Sequence, residues 1–496
     1  MQDINQQLEE IGLEPLAEVD RCPERKYYKQ LIQNPNFEDS NYTKKLKAAT
    51  TEYVQAFHNY FAKVYPHLIY ELGEDKTYWL YDETEGVYNE VNFSVVRNYV
   101  IQLMVREGLR ASATEGNVKN VLNKYRAEYQ ERGCSYSDFD DDSGWFHVNN
   151  GWVDVSTLEF EPHTATRLSR RKSAVNYEPE ATCPTYDNFL DNQVELEEDK
   201  VRVIDQFSGL LLTPDITQQK MLVLIGKPGC GKSTLLDLWG DVLGECSTQK
   251  ALHEISSDSF RFGGADLVGR SLCWFDEVEV SRSEMGNSLI NLITGQNIRV
   301  ERKGINGIVN VQNQLKCVLT ANTLPRSAEM GIYRRMILIY MNYSFTDNMA
   351  VDRKIRQKLM AESSGVLNRM LRGLHDLRKN GEFSEIEGHD DLIEEYKASS
   401  NTVAEFLDEH FVFDYDAPRV STKILLEAYK EFANDKYVSS LTPQRFGMLL
   451  GSHGLSQFSK IVATRGTGGQ RMWAGLKLRD CYEYNSAGLI REKQIF

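Results

Sequence analysis

The chain has no apolar stretch approaching the ~18 residues that a membrane span requires, so no membrane partner is expected. It also has no Cys-x-x-Cys pair. Its eight cysteines, at 22, 134, 183, 230, 246, 273, 317 and 481, are scattered, which argues against a zinc ribbon or a disulfide framework. They read as reduced, mostly packed thiols. The first ten residues have neither the basic start nor the apolar core of a signal peptide, and the expectation is a protein that stays in the cytoplasm where it is made. Internal repeats and low-complexity tracts are lacking too. What remains is the composition of a globular protein, 41% hydrophobic and 26% charged, in 496 residues, too many for one core.

Acids are missing from one place in particular. The net charge is −15, so the bulk surface should repel nucleic acid, yet no acid falls between Lys436 and Arg479. From Arg419 to Arg479 ten Lys and Arg residues face only Glu427, Glu431 and Asp435, a local charge of +7. A basic module on an acidic chain is an electrostatic footprint for a phosphate backbone.

The chemistry begins at Gly226-Lys-Pro-Gly-Cys-Gly-Lys-Ser233, which follows the apolar run Met221 to Ile225 and precedes a helix over Thr234 to Leu243. Strand, glycine-rich loop and helix form the P-loop context. Loop amides at Gly226, Gly229, Gly231 and Thr234 cradle phosphate oxygens, Lys232 reaches the terminal phosphates, and Ser233 supplies a magnesium ligand. ATP and Mg2+ are therefore the expected ligands. A second apolar strand, Leu272 to Phe275, ends in Asp276-Glu277; Asp276 is the candidate magnesium residue and Glu277 the candidate base for the attacking water. A third, Leu315 to Ala321, ends in Asn322, placed to bond the γ-phosphate or that water. Arg334 and Arg335 follow, ahead of the strand Met336 to Ile339, and one of them is expected to act on a neighbouring subunit's site.

Between the acid pair and Asn322 lie two short alternating runs, Ile298 to Arg302 and Ile308 to Val311, around Lys303-Gly-Ile-Asn-Gly307. Asn-Gly is a hairpin-turn signal. A basic hairpin there is placed to project into a ring's hole and grip a backbone through Lys303 and Arg302.

This order of motifs, with Ile293-Thr-Gly295 leading into the hairpin, resembles the superfamily 3 helicases, a branch of the AAA+ ATPases. Within them the chain is similar to the phage and plasmid helicase–primase group related to the poxvirus helicase–primase. The similarity extends over roughly residues 75 to 480, from Val148-Asn-Asn-Gly151 and Cys183-Pro184 to Glu362-Ser-Ser-Gly365. It implies a homohexameric ring, ATP sites between subunits, and 3′-to-5′ movement on one DNA strand in replication of a phage, plasmid or integrated element. The paired acids and histidine of a primase are not evident, because the one dense cluster, Asp138 to Asp142, sits in a polar stretch that reads as loop. A separate primase or polymerase is the expected partner.

The fold expected is α/β and multidomain: a helical region over 1–70, an α+β domain over 71–190, an AAA+ P-loop core over 191–345, a helical extension over 346–400, and a winged helix-turn-helix over 401–496. Within the extension the acidic run Glu385 to Glu395 reads as a solvated connector. In the last module an amphipathic helix (Thr422 to Phe432), a second helix over 442–450 opened by Pro443, and two strands around Gly466-Thr-Gly-Gly469 give the winged plan. Arg445 on the second helix, with Lys460, Arg465 and Arg471 on or near the wing, are the candidate duplex or fork contacts. The basic run Arg167 to Lys172 is a second candidate, with a solvated or inter-subunit face as its alternative, and Tyr53, Phe57, Tyr60 and Phe61 read as a packed helix face. Two other outputs of the ATPase stay open: an origin-binding initiator that remodels duplex DNA, or a scaffold that loads a separate primase or polymerase.

Overall fold

The structure, a computed structural model, describes residues 24–36, 39–72, 77–140, 144–193, 196–256, 264–276, 287–301, 308–322, 330–341, 352–400, 402–414, 416–435, 443, 446, 450, 462–465, 471–484 and 490–492. Helices α1 (Glu24–Gln33) and α2 (Tyr42–Val64) lead into a four-stranded sheet of order β3-β2-β1-β4, made by β1 (Leu68–Glu71), β2 (Thr77–Asp82), β3 (Val87–Asn92) and β4 (Gly133–Cys134). Between β3 and β4 come α3 (Phe93–Arg106) and α4 (Glu115–Glu128). Asn92 caps α3 by accepting the Val95 amide, and Thr114 caps α4 through Asn117. The spacing of Tyr53, Phe57, Tyr60 and Phe61 puts all four on one buried face of α2, where they pack against Val96 and Val100 of α3 and Leu122 and Tyr125 of α4. The aromatic stripe is core. That core runs across residue 70, so the helical region and the sheet form one unit there.

Strands β5 (Trp145–Val148), β6 (Gly151–Asp154) and β7 (Phe160–Glu161) form a meander, with Val148 opposite Gly151 around the Asn149-Asn150 turn. Helix α5 (Pro184–Asn188), a π-helical turn (Phe189–Gln193) and α6 (Glu198–Leu210) follow. Phe146, Val148, Val153 and Val175 share a core with Leu235 and Trp239, so the meander belongs with the central domain. The basic run Arg167 to Lys172 ties the meander to the segments around it. Arg170 pairs with Asp140 at 2.7 Å, Arg167 with Glu161 at 2.8 Å and Lys172 with Glu85 at 2.9 Å. The Arg171 Nε donates to the Val268 carbonyl. These charges are spent inside the chain, and the run is not a free basic face.

The central sheet is fully parallel, in the order β14-β8-β13-β10-β9. Its strands are β8 (Met221–Ile225), β9 (Ser247–Gln249), β10 (Leu272–Phe275), β13 (Lys316–Ala321) and β14 (Met336–Tyr340), and every residue of β8 and β13 is buried. Continuous apolar runs form such strands because helices cover both faces. Those helices include α7 (Lys232–Leu243), α8 (Leu252–Ser256), α9 (Asn287–Ile293) and α10 (Met330–Tyr333). A separate antiparallel pair, β11 (Ile298–Glu301) with β12 (Ile308–Val311), aligns Ile298 with Val311 and Glu301 with Ile308, as the alternating runs predict. Burial pushes the Cys317 thiol in β13 up to about 12, in keeping with packed, unreactive cysteines.

Beyond the sheet, α11 (Ile355–Ala361) packs on α7 and α12 (Ser363–Asn380) lies against α6, α12 burying Val366, Leu367, Met370 and Leu374. The acid-rich stretch from Glu385 to Glu395 reads from sequence as a solvated connector, but the structure corrects this. Helix α13 (His389–Ser400) starts inside it and buries Ile393 and Tyr396 against the central domain. Asp390 and Asp391 in its first turn suit the positive end of the helix dipole, which is why acids there are compatible with a helix.

The last module comprises α14 (Thr402–His410), β15 (Phe411–Phe413), β16 (Val420–Ser421), α15 (Thr422–Asp435), β17 (Val462–Arg465), β18 (Arg471–Ala474), β19 (Leu476–Leu478), β20 (Tyr482–Tyr484) and β21 (Ile490–Glu492). Strands pair in the order β16-β18-β17, and Phe406, Leu425, Tyr429, Phe446, Leu450 and Trp473 form its core. The chain is thus a mixed α/β multidomain protein built around a parallel sheet. Among the described residues no helix is long and apolar enough to cross a membrane.

Candidate active site

The carboxyl ends of β8, β13 and β10 lie side by side, and the strand order makes β13 the middle one. This places the residue after β13, Asn322, between the loop that follows β8 and the acid that follows β10. The loop itself is made by its glycines. Gly229 and Gly231 have φ of 76° and 99°, left-handed values that side chains resist. Gly226 passes so close to the Met341 carbonyl that a Cβ would stand 2.2 Å from it. Residues 227–229 are exposed, while α7 starts directly behind them.

Lys232, 6% exposed, folds its ammonium back into this loop. Its Nζ donates to the carbonyls of Gly226 at 2.6 Å and Lys227 at 3.1 Å, and to Asn322 Oδ1 at 3.3 Å. The Ser233 hydroxyl lies 3.4 Å from Asp276 Oδ1. Thus Lys232, Ser233, Asp276 and Asn322, which span 90 residues of sequence, meet at one edge of the sheet. The free amides at the start of α7, including that of Thr234, favour an anion there. One hydroxyl and one carboxylate are hard oxygen donors, the set that suits Mg2+, which keeps several waters and takes few protein ligands.

The two arginines part company. Both precede β14, whose first residue Met336 aligns with Met221, whereas the P-loop follows Ile225 at the other end of the pairing. About 13 Å of strand separates the two ends, so the backbone of both arginines lies at the end of the sheet away from the loop of their own chain. Arg335 is 8% exposed, with a guanidinium that donates to the Gly331 carbonyl. Burial, then the neighbouring Arg334, lowers its pKa. Arg334 is exposed, its backbone carbonyl held by Lys220 Nζ at 2.8 Å. Of the remaining expected residues, Arg465 and Arg471 are backbone register partners at the end of the β17–β18 pair. Glu277, Arg302, Lys303, Arg445 and Lys460 lie outside the described residues.

Two family models match the chain. Residues 45–195 match the family described as D5 N terminal like, and residues 224–335 match a family of unknown function, DUF5906. The second covers the P-loop, Asp276, Asn322 and both arginines. No curated protein matches the chain. Among solved structures, an apo A form of the NrS-1 C-terminal region is similar at 13% identity over 83% of this chain and 96% of that one, with a TM-score of 0.48. A second A-form apo structure, of its residues 305–718, gives 12% identity, the same coverage and the same score.

Sequence reasoning missed Thr320. Its hydroxyl donates to Asp276 Oδ1 at 2.5 Å from within β13, where the residue is fully buried. The hint was a hydroxyl in a strand that is otherwise apolar from Cys317 onward, two residues ahead of Asn322, where β13 lies beside β10. A cavity of about 380 Å3 lies elsewhere, between α5, α6 and α12, its charged lining made of Asp187, Asp191, Asp205 and Asp376 with Arg202, Arg369 and Arg372. Arg369 pairs there with Asp187, Asp191 and Asp205, so the acids repel a phosphate and the arginine is committed.

Proposed function

We propose that this chain is an ATP-driven, ring-forming DNA helicase acting in replication of a phage, plasmid or integrated element. The observation that carries the proposal is the convergence of Lys232, Ser233, Asp276 and Asn322 at the carboxyl edge of a parallel sheet. ATP is the substrate this edge fits: loop amides and Lys232 bind its phosphates, and Asn322 senses the terminal one through the side chain that now contacts Lys232. Mg2+ held by Ser233 and Asp276 would neutralise phosphate charge. Glu277, next along from Asp276, is the residue to orient and deprotonate water. Arg334, exposed and remote from its own loop, is the one to complete a neighbour's site, which makes a closed ring of identical subunits the natural assembly.

The β11–β12 pair supports the motor reading, because the sequence that joins the two strands contains Arg302 and Lys303, the cations proposed to grip a strand in the ring. The C-terminal module supports a duplex or fork contact. Its described elements run α14, β15, β16, α15, β17 and β18, an order compatible with the winged plan. The D5 N-terminal-like match falls on the stretch that the resemblance places ahead of the motor. Phosphate release and fork unwinding measured together test the reading. Lys232→Ala is expected to abolish both, and Lys303→Ala to keep hydrolysis while losing unwinding. Unwinding that survives in Lys303→Ala would remove the hairpin from the account.

A further inference from the structure

Helix α13 meets the central domain on both sides of the arginine pair in sequence. At its first residue, His389 Nε2 accepts the backbone amide of Leu338 at 3.1 Å. Leu338 lies in β14, the outer strand of the sheet among the described residues, so its outward amides pair with no described strand. Two turns later Tyr396 meets the Tyr333 ring edge-on, at 5.2 Å and 70°. Tyr333 ends α10 and immediately precedes Arg334. Ile393 fills the space between these contacts.

The opposite side of the same segment is fixed by the start of β8. Lys220 Nζ holds the Arg334 carbonyl and the Met221 amide donates to the Arg335 carbonyl at 2.7 Å. The backbone under Arg334 is therefore clamped between β8 and α13. Only one residue separates α13 from α14, the first helix of the C-terminal module.

We propose that α13 is a positioning strut: through His389 on Leu338 and Tyr396 on Tyr333 it sets the reach of Arg334, and through its junction with α14 it couples that reach to DNA on the C-terminal module. The proposal rests on the reading that Arg334 completes a neighbouring subunit's ATP site. His389 and Tyr396 are positioning residues, since neither meets the P-loop.

The chemistry of the cap gives a specific signature. To accept an amide proton at Nε2 the imidazole must be neutral, with its own proton on Nδ1, which faces Asp390 Oδ1 at 3.7 Å. Burial lowers the pKa of His389, Asp390 on its own helix raises it, and Lys220 from the β8 side lowers it. The bond is thus intact near neutral pH and is lost as the pH falls through this lowered value, below 6.5. A glutamine at 389 offers a carbonyl oxygen that accepts the same amide without titrating.

The test uses the full-length chain: wild type, His389→Ala, His389→Gln and Arg334→Ala. Three quantities are read: hydrogen exchange of the 336–340 amides, thermal stability, and kcat and KM for ATP with and without forked DNA from pH 5.5 to 8.5. In His389→Ala, exchange at Leu338 should quicken and DNA-stimulated kcat should fall roughly three- to tenfold, the rate equivalent of one hydrogen bond. KM for ATP should be unchanged. His389→Gln should restore protection and rate, and should lack the loss of DNA stimulation that wild type shows in acid. If His389→Ala fails to fold, the acid limb present in wild type and absent in His389→Gln still decides the matter. Faster exchange with undiminished stimulation in His389→Ala, beside an inactive Arg334→Ala, would overturn the strut alone. A fully active Arg334→Ala would overturn the reading beneath it as well.

Discussion

Replacing Thr320 by valine removes one hydroxyl from the candidate site while leaving its shape nearly intact. The residue is fully buried in β13, and its Oγ1 donates to Asp276 Oδ1 at 2.5 Å, the same oxygen that faces the Ser233 hydroxyl at 3.4 Å. Without that donor the carboxylate is held less firmly and one of its acceptor sites is left open. A hydrogen bond to a charged group contributes about 1.5–3 kcal/mol. If the whole loss falls on hydrolysis, the rate drops roughly 10- to 150-fold. The assay is steady-state phosphate release across a magnesium titration, with thermal melting in parallel. Thr320→Val should raise the magnesium requirement and lower kcat within that range, and Thr320→Ser should stay near wild type. A Thr320→Val protein with wild-type kcat at every magnesium concentration would refute the argument that this hydroxyl holds Asp276.

Two further predictions concern stability. A Cβ at Gly373 would stand 2.0 Å from the Asp205 carbonyl oxygen, where α12 meets α6, and backbone cannot move aside cheaply. Gly373→Ala should therefore cost about 1–3 kcal/mol and lower the melting temperature, whereas Gly116→Ala in α4, with nothing within 4 Å, should be neutral or slightly stabilising. Burial works to raise the Asp266 pKa, but hydrogen bonds from Lys250 and Arg270 prevail and bring it to about 2. Its contribution to stability is full above the ordinary value of 3.8 and is lost as the pH falls towards about 2. Acid unfolding curves of wild type and Asp266→Asn should converge across that interval.

What the sequence made legible was local. Apolar runs that end in Gly226, Asp276-Glu277 and Asn322 announce strands with polar tips, and a parallel sheet brings such tips to one edge. The turn at Asn149-Asn150 and the β11–β12 pairing are local in the same way. What it hid depends on partners far along the chain. The cations Arg167, Arg170 and Lys172 look available until the fold brings Glu161, Asp140 and Glu85 to them. Helix α13 hides in an acid-rich stretch because its buried face is only a few residues, Ile393 and Tyr396 among them, and its first acids serve the helix dipole. The two arginines are equivalent as sequence. Only the placement of the Arg335 guanidinium on the Gly331 carbonyl separates them and leaves Arg334 at the surface.

The central claim, that ATP hydrolysis at this edge drives a strand through a ring, is tested most directly by strand displacement on forked DNA. Substrates with a 3′ or a 5′ loading tail are compared with and without ATP, for wild type and Glu277→Gln. The account predicts ATP-dependent unwinding from the 3′ tail only, lost in Glu277→Gln. ATP hydrolysis with no displacement from either tail would contradict it and point instead to an initiator or a loading scaffold.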